Sequence, residues 1–144
     1  MAKKTIAFAS DHAGVELKEI LKQEAEQLGY EPHDLGTSST NSVDYPDFAD
    51  EMAKWMKLHP ENFGVLICGS GIGMSMSANR HKHIRAALCY NGLAAQLSRR
   101  HNDANVICMG ARMMGQDMAK FCLGQFVSTS FDGGRHAARV AKFS

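Results

Sequence analysis

The alternation of short apolar runs with amphipathic helical patterns predicts an α/β fold: a single Rossmann-like three-layer domain over residues 1–144, with a five-stranded parallel sheet and a C-terminal helix. Two observations sharpen the class. The apolar runs are continuous rather than alternating, as strands buried on both faces are. One of them also opens directly onto a glycine-rich turn, the kind of segment that lines the carboxyl edge of an open doubly wound sheet.

Taken in order, the first strand is read at residues 5–9. Leu17, Ile20, Leu21, Ala25 and Leu28 then recur at helical spacing, with Glu16, Lys18, Glu19, Lys22 and Glu26 facing water and Gly29 as the stop. A weaker strand follows near residues 30–35. Asp44 as cap and Pro46 in the first turn open a second helix, whose buried stripe is Tyr45, Phe48, Ala49, Met52, Ala53 and Met56. Strands at 64–68, 84–89 and 106–109 lead to helices at 72–79, 91–100 and 115–126. Gly133-Gly134 precede a last helix from Arg135 to the end.

A hydrophobic content of 44% with 22% charged residues suits one buried core. A net charge of +1 and seven scattered histidines supply no basic field for nucleic acid. The four cysteines sit inside apolar stretches and form neither a CxxC pair nor a dense disulfide framework, which predicts reduced thiols. The N-terminal residues enter the first strand without the long apolar region of a signal peptide, and no later run approaches membrane-spanning length. The expectation is a soluble, cytoplasmic protein with neither nucleic acid nor membrane as partner.

Chemistry concentrates at Val65-Leu66-Ile67-Cys68-Gly69-Ser70-Gly71-Ile72-Gly73-Met74-Ser75. Alternating glycines let successive N–H groups face one concavity, and a helix start adds its positive dipole end, so an anion is favoured there. The same field favours a thiolate on Cys68. A cysteine ending a strand also serves as a small core residue, and a glycine-rich turn as nothing more than a turn; the local sequence leaves both readings open. In a parallel sheet Asp11-His12, Cys68-Gly69-Ser70 and Gly110-Ala111-Arg112 share one edge. Arg135 and Arg139 lie on one helix face and, with Arg112, suit a forked grip on phosphate, though taken alone they read more readily as a solvated basic helix end or as partners of carboxylates. His81-Lys82-His83 reads as a solvated loop and a weak metal signal.

Other phosphate chemistries fit poorly. A Walker loop requires Lys-Ser/Thr where Met74-Ser75 stand, and a dinucleotide fingerprint belongs after the first strand, where this chain has Ser10-Asp11-His12-Ala13-Gly14. A phosphocysteine phosphatase would place an arginine where Met74 stands.

With those residues in view, the chain closely resembles the type B ribose-5-phosphate isomerases, a family that includes galactose-6-phosphate and allose-6-phosphate isomerases. The resemblance runs nearly end to end through Ser10-Asp11-His12-Ala13-Gly14, Asp44-Tyr45-Pro46-Asp47, Cys68-Gly69-Ser70-Gly71-Ile72-Gly73, Ser98-Arg99-Arg100-His101-Asn102-Asp103-Ala104-Asn105-Val106, Gly110-Ala111-Arg112 and Gly133-Gly134-Arg135-His136. It implies an aldose–ketose isomerase of the pentose phosphate pathway that works without metal or organic cofactor through an enediolate. It implies Cys68 as the base, since other members carry a glutamate where this chain has Met74. The Ser70 hydroxyl and the turn amides of Gly69, Ser70, Gly71, Ile72 and Gly73 would then stabilise the enediolate oxygen. His101 matches the ring-opening acid or base. Asp11, Asn102 and Tyr45 match substrate contacts, and His12, Arg112, Arg135 and Arg139 the phosphate grip. The family implies a homodimer, possibly paired again into a dimer of dimers, with a shared site. Six-carbon sugar phosphates such as allose 6-phosphate or galactose 6-phosphate are the alternative substrates, and a non-catalytic sugar-phosphate-binding domain is the alternative of another class.

Overall fold

A computed structural model describes residues 3–144. Its elements are β1 (Thr5–Ser10), a 3-10 turn (His12–Gly14), α1 (Val15–Gln27), β2 (Glu31–Asp34), α2 (Tyr45–Leu58), β3 (Phe63–Cys68), α3 (Ile72–Ala78), β4 (Ala86–Leu88), α4 (Gly92–Asn102), β5 (Val106–Gly110), α5 (Gln116–Ser128) and α6 (Arg135–Ala141). The five strands pair in parallel in the order β2-β1-β3-β5-β4. This is the expected α/β sheet.

The central strands β1, β3 and β5 explain why the pattern was readable. Successive side chains point to opposite faces, and helices cover both. Ile6, Phe8, Val65, Ile67, Ile107 and Met109 meet α1 and α5 through Leu17, Leu21, Cys122, Leu123 and Phe126. On the other face Ala7, Ala9, Leu66 and Cys108 meet α2 and α3 through Ala49, Met52, Met56, Met74 and Ala78. Each fully buried Ile, Leu, Met or Phe contributes roughly 1.5–3 kcal/mol. Among the described residues no helix is long and apolar enough to cross a membrane.

Several local expectations are corrected. Lys18 does not face water; it is fully buried, because Asp34 at the end of β2 and the Thr37 carbonyl lie over that side of α1 and take its ammonium. Leu28 lies beyond the last turn of α1 and is exposed rather than part of the apolar face. Tyr45 is 38% exposed and leaves the buried stripe of α2, because it opens the helix and turns toward Gly73. Asp44 occupies the N-cap position but its side chain makes no capping bond. The strand expected at 84–89 shrinks to β4, a half-buried edge. The histidines expected in a solvated loop are tied to α2 instead: His81 Nε2 lies 2.9 Å from Asp50 Oδ1, and His83 Nε2–H donates to the Ala53 carbonyl at 2.7 Å.

Candidate active site

Because the sheet is parallel, β1, β3 and β5 deliver their following residues to one edge, and backbone bonds tie those loops together. Asp11 N–H donates to the Ile67 carbonyl (3.2 Å), Ala111 N–H to Cys68 (2.9 Å) and Arg112 N–H to Gly69 (2.9 Å). Cys68 ends β3 opposite Gly110 and is 5% exposed. Its Sγ accepts the Gly71 N–H at 3.2 Å, a donor placed to support negative charge on sulfur. Gly71 reaches that position at φ +82°, where a Cβ would come within 2.9 Å of the Met109 backbone. Only glycine fits there without displacing the turn.

The remainder of the turn is equally constrained. Ser70 Oγ accepts the Ile72 N–H at 3.1 Å, and the Ser70 carbonyl accepts the Tyr90 hydroxyl at 2.8 Å. Gly71, the residue before α3, has no side chain to cap the helix; Ser70 Oγ takes the Ile72 N–H, and the Gly73 and Met74 N–H groups remain open to a ligand. A Cβ on Gly73 would lie 2.6 Å from the Tyr45 hydroxyl, and one on Gly69 would lie 3.1 Å from an Arg112 guanidinium nitrogen. Tyr45 and Arg112 therefore flank the turn. Asp11 Oδ1 accepts the Ala13 N–H at 3.0 Å, and His12 Nδ1 accepts the Val43 N–H at 3.2 Å.

The remaining cysteines occupy a different environment. Burial pushes the Cys89 thiol up to about 12 and the Cys122 thiol up to about 11, and raises Cys108 as well. All three remain protonated and inert near neutral pH.

His101 and Asn102 lie elsewhere. They form the last turn of α4, which starts at the carboxyl edge after β4 and returns to the opposite edge before β5. Eleven residues make that helix about 16 Å long. Its end is held by Arg99, a nearly buried guanidinium 4.8 Å from the Phe63 ring centre, which donates to Asp103 Oδ1 at 3.0 Å. Asp103 in turn closes the helix in the left-handed region at φ 48°. Beyond it, His101 stacks on His136 with ring centres 4.4 Å apart and planes 12° from parallel. Asp132 pairs with Arg100 at 3.2 Å.

His101, Asp132 and His136 bring ligand atoms within 4.8 Å of one another. The parallel rings do not aim their in-plane lone pairs at one point, and Arg100, Arg135 and Arg139 surround them, so this corner favours an anion over a cation. Partial burial, then His101, Arg135 and Arg139, hold the His136 imidazole below its usual range. A cavity of about 430 Å³ beside Asn102 is lined by Arg80, Lys82, Arg85 and Phe143, and Cys68 has no part in it.

The chain thus gathers Asp11, His12, Tyr45, Cys68, Gly69, Ser70, Gly71, Ile72, Gly73 and Arg112 at one edge of the sheet. His101, Asn102, Arg135 and Arg139 stand at the other. The three arginines expected to grip one phosphate are therefore divided within one chain, with Arg112 beside the thiol and the other two beside His101. The sequence reading missed Tyr90 as the brace of the turn, the Val43 amide on His12, and the His136 stack. Tyr90 carried a signal, since it follows a predicted strand at the same edge; a backbone amide carries none.

Similarity to known proteins extends over nearly the whole chain. Residues 6–143 match the Ribose/Galactose Isomerase family. Ribose-5-phosphate isomerase B of Escherichia coli K12 is 40% identical over 137 residues, covering 95% of this chain and 92% of that protein. A crystal structure of a ribose 5-phosphate isomerase from Thermotoga maritima superposes with a TM-score of 0.95 at 45% identity, covering 99% of this chain and 98% of that one. Ribose 5-phosphate isomerase B from Anaplasma phagocytophilum does so with a TM-score of 0.92 at 50% identity, covering 100% and 99%.

Proposed function

The chain belongs to the ribose/galactose isomerase family, and from that premise we propose that it interconverts ribose 5-phosphate and ribulose 5-phosphate with Cys68 as the base. The observation that carries the chemistry is the Cys68 sulfur, held at the end of β3 by the Gly71 N–H and flanked by Arg112. A thiolate there takes the proton from C2 of the open-chain aldose. The C–H electron pair becomes the C1–C2 double bond, and charge moves onto the former carbonyl oxygen. Open N–H groups of the turn and the Ser70 hydroxyl stabilise that oxygen as it becomes anionic. With the hydroxyl protons redistributed, Cys68 returns its proton to C1 and ribulose 5-phosphate results. His101 opens the furanose ring, Asp11, Asn102 and Tyr45 hold hydroxyls, and His12 with the arginines anchors the phosphate, so remote binding energy orients C1 and C2.

The separation of Cys68 from His101 supports a homodimer in which each site takes the thiol half from one copy and the histidine half from its partner. Ile72 and Met76 on α3 and Leu93 on α4 are large apolar side chains left exposed, as an association surface requires. The working unit is then the whole chain, residues 1–144, in pairs or in a dimer of dimers, acting in the cytoplasm within the pentose phosphate pathway.

The test is a coupled isomerase assay on Cys68→Ala with ribose 5-phosphate beside allose 6-phosphate and galactose 6-phosphate. The expected result is preference for the pentose and a loss of about 10²–10⁴-fold in kcat for the variant, the contribution of a positioned base. Near wild-type turnover by Cys68→Ala removes the thiol from the mechanism.

A further inference from the structure

The loop at 35–44, between β2 and α2, is tied down at both ends. At its start Leu35 N–H donates to Phe8 (2.8 Å) and Thr37 N–H to Ser10 (2.9 Å), while Ser10 N–H donates to Gly36 (2.8 Å). Beneath these bonds sits Lys18, fully buried, whose ammonium donates to Asp34 Oδ1 at 2.8 Å and to the Thr37 carbonyl. Asp34 Oδ1 also accepts the Gly36 N–H at 2.8 Å. A buried ammonium carries a heavy desolvation cost, and this one spends its hydrogen bonds on the root of a loop. The other end delivers the Val43 N–H to His12 Nδ1 at 3.2 Å, with Tyr45 following against Gly73.

A ring nitrogen that accepts an N–H cannot carry a proton of its own, so neutral His12 holds its proton on Nε2. The opposite tautomer would set two donors against each other at Val43 and turn a lone pair toward any bound anion. Nδ1 belongs to the protein, and Nε2–H is the group left for a ligand. We infer that the Val43 amide fixes the tautomer of His12, presenting Nε2–H as a directed donor to the substrate phosphate, and that Lys18 is a positioning residue acting through the loop that carries Val43. This rests on the phosphate contact proposed above for His12. It adds which atom makes the contact, in which protonation state, and what holds it there.

The direct test is a two-bond proton–nitrogen correlation spectrum of the whole protein labelled with ¹⁵N-histidine, recorded at neutral pH. The expected spectrum has His12 protonated on Nε2 and bare on Nδ1; a proton on Nδ1 overturns the inference. Kinetics give a second reading, because glutamine places its amide nitrogen near the Nε2 position and asparagine near Nδ1. His12→Gln is expected to keep kcat/KM for ribose 5-phosphate within about tenfold of wild type. His12→Asn should fall about 10–100-fold below that, the loss of a hydrogen bond to a charged group. Asparagine matching or exceeding glutamine in an impaired enzyme overturns the donor assignment. Wild-type kcat/KM in both variants instead removes the phosphate contact itself, while the spectrum still decides the tautomer.

Val43→Pro removes the N–H, while its ring also fixes φ and restricts Ser42, and should mix the His12 tautomers and raise KM. Lys18→Met should move the same histidine signals and KM more than kcat. Wild-type signals and KM in a folded Lys18→Met protein exclude the positioning role, and the wild-type spectrum and Val43→Pro stand as tests if that variant does not fold.

Discussion

Around Cys68 most groups sit at the end of a central strand or in a loop bonded to one, with Tyr45 reaching in from the start of α2 and Ile72 and Gly73 from that of α3, whereas around His101 the groups sit on the last turn of α4 and on α6, a seven-residue helix that packs chiefly on α4. The first region is backbone-dense, with the turn amides, two flanking side chains and a nearly buried sulfur held by short bonds. The second is side-chain-dense, exposed and cationic. Under the proposed function the difference suits two tasks. Moving a proton between adjacent carbons requires placement within a fraction of an ångström, which strand ends supply. Holding a phosphate requires charge and reach, which arginines on a helix supply.

The division can be broken outright by mixing. Cys68→Ala and His101→Ala homodimers, each strongly impaired alone, should regain about a quarter of wild-type activity after subunit exchange. Half of the dimers are then hybrids, and each hybrid holds one intact site in two. Activity that stays at the level of the separate variants would place both residues in one chain's site.

Each region rests on a buried cation, Lys18 beside the end of β2 and Arg99 at the end of α4. Asp34→Asn leaves Lys18 buried without its counter-charge and should cost about 3 kcal/mol at pH 7, the low end for such a break because Asp34 is partly exposed. Burial raises the Asp34 carboxyl, but hydrogen bonds from Lys18, Gly36 and Lys22 outweigh it and set the carboxyl below its ordinary value. The stability it confers is therefore full above the ordinary carboxylate range and lost as pH falls through the lower folded value. The difference between wild type and variant, measured by denaturant unfolding, should shrink over that acidic window.

A smaller effect is expected at the helix end. Arg139→Ala should lower kcat/KM about 10–100-fold through a lost charged contact, with thermal unfolding unchanged because the side chain is exposed. Removing that cation from beside His136 should also let its titration move up toward the usual imidazole range, read by NMR. A fall in melting temperature comparable to that of Asp34→Asn would make the two regions alike.

What the sequence disclosed follows the same division. β1, β3 and β5 were legible because burial on both faces writes a continuous apolar run, and Cys68 was legible because such a run ended beside glycines. β2, an edge strand reading Glu31-Pro32-His33-Asp34, has little apolar pattern to read. Lys18 was misread because charges spaced along α1 look solvated until the end of β2 is laid over them. The distance between Cys68 and His101 was present in principle, since a helix joining parallel strands must return to the edge where the next strand begins. Matched blocks of residues carry no such direction.

The length of α4 has a consequence for regulation by amount. A lone chain keeps its thiol at one edge of the sheet and His101, Arg135 and Arg139 at the other, so in the proposed dimer dilution below its dissociation constant should silence the protein without unfolding it. In that regime the active fraction itself falls in proportion to concentration, and total turnover falls as its square. Newly made chains would stay inert until they meet, and substrate, by binding only the shared site, would draw them together and lower the chain concentration at which activity appears.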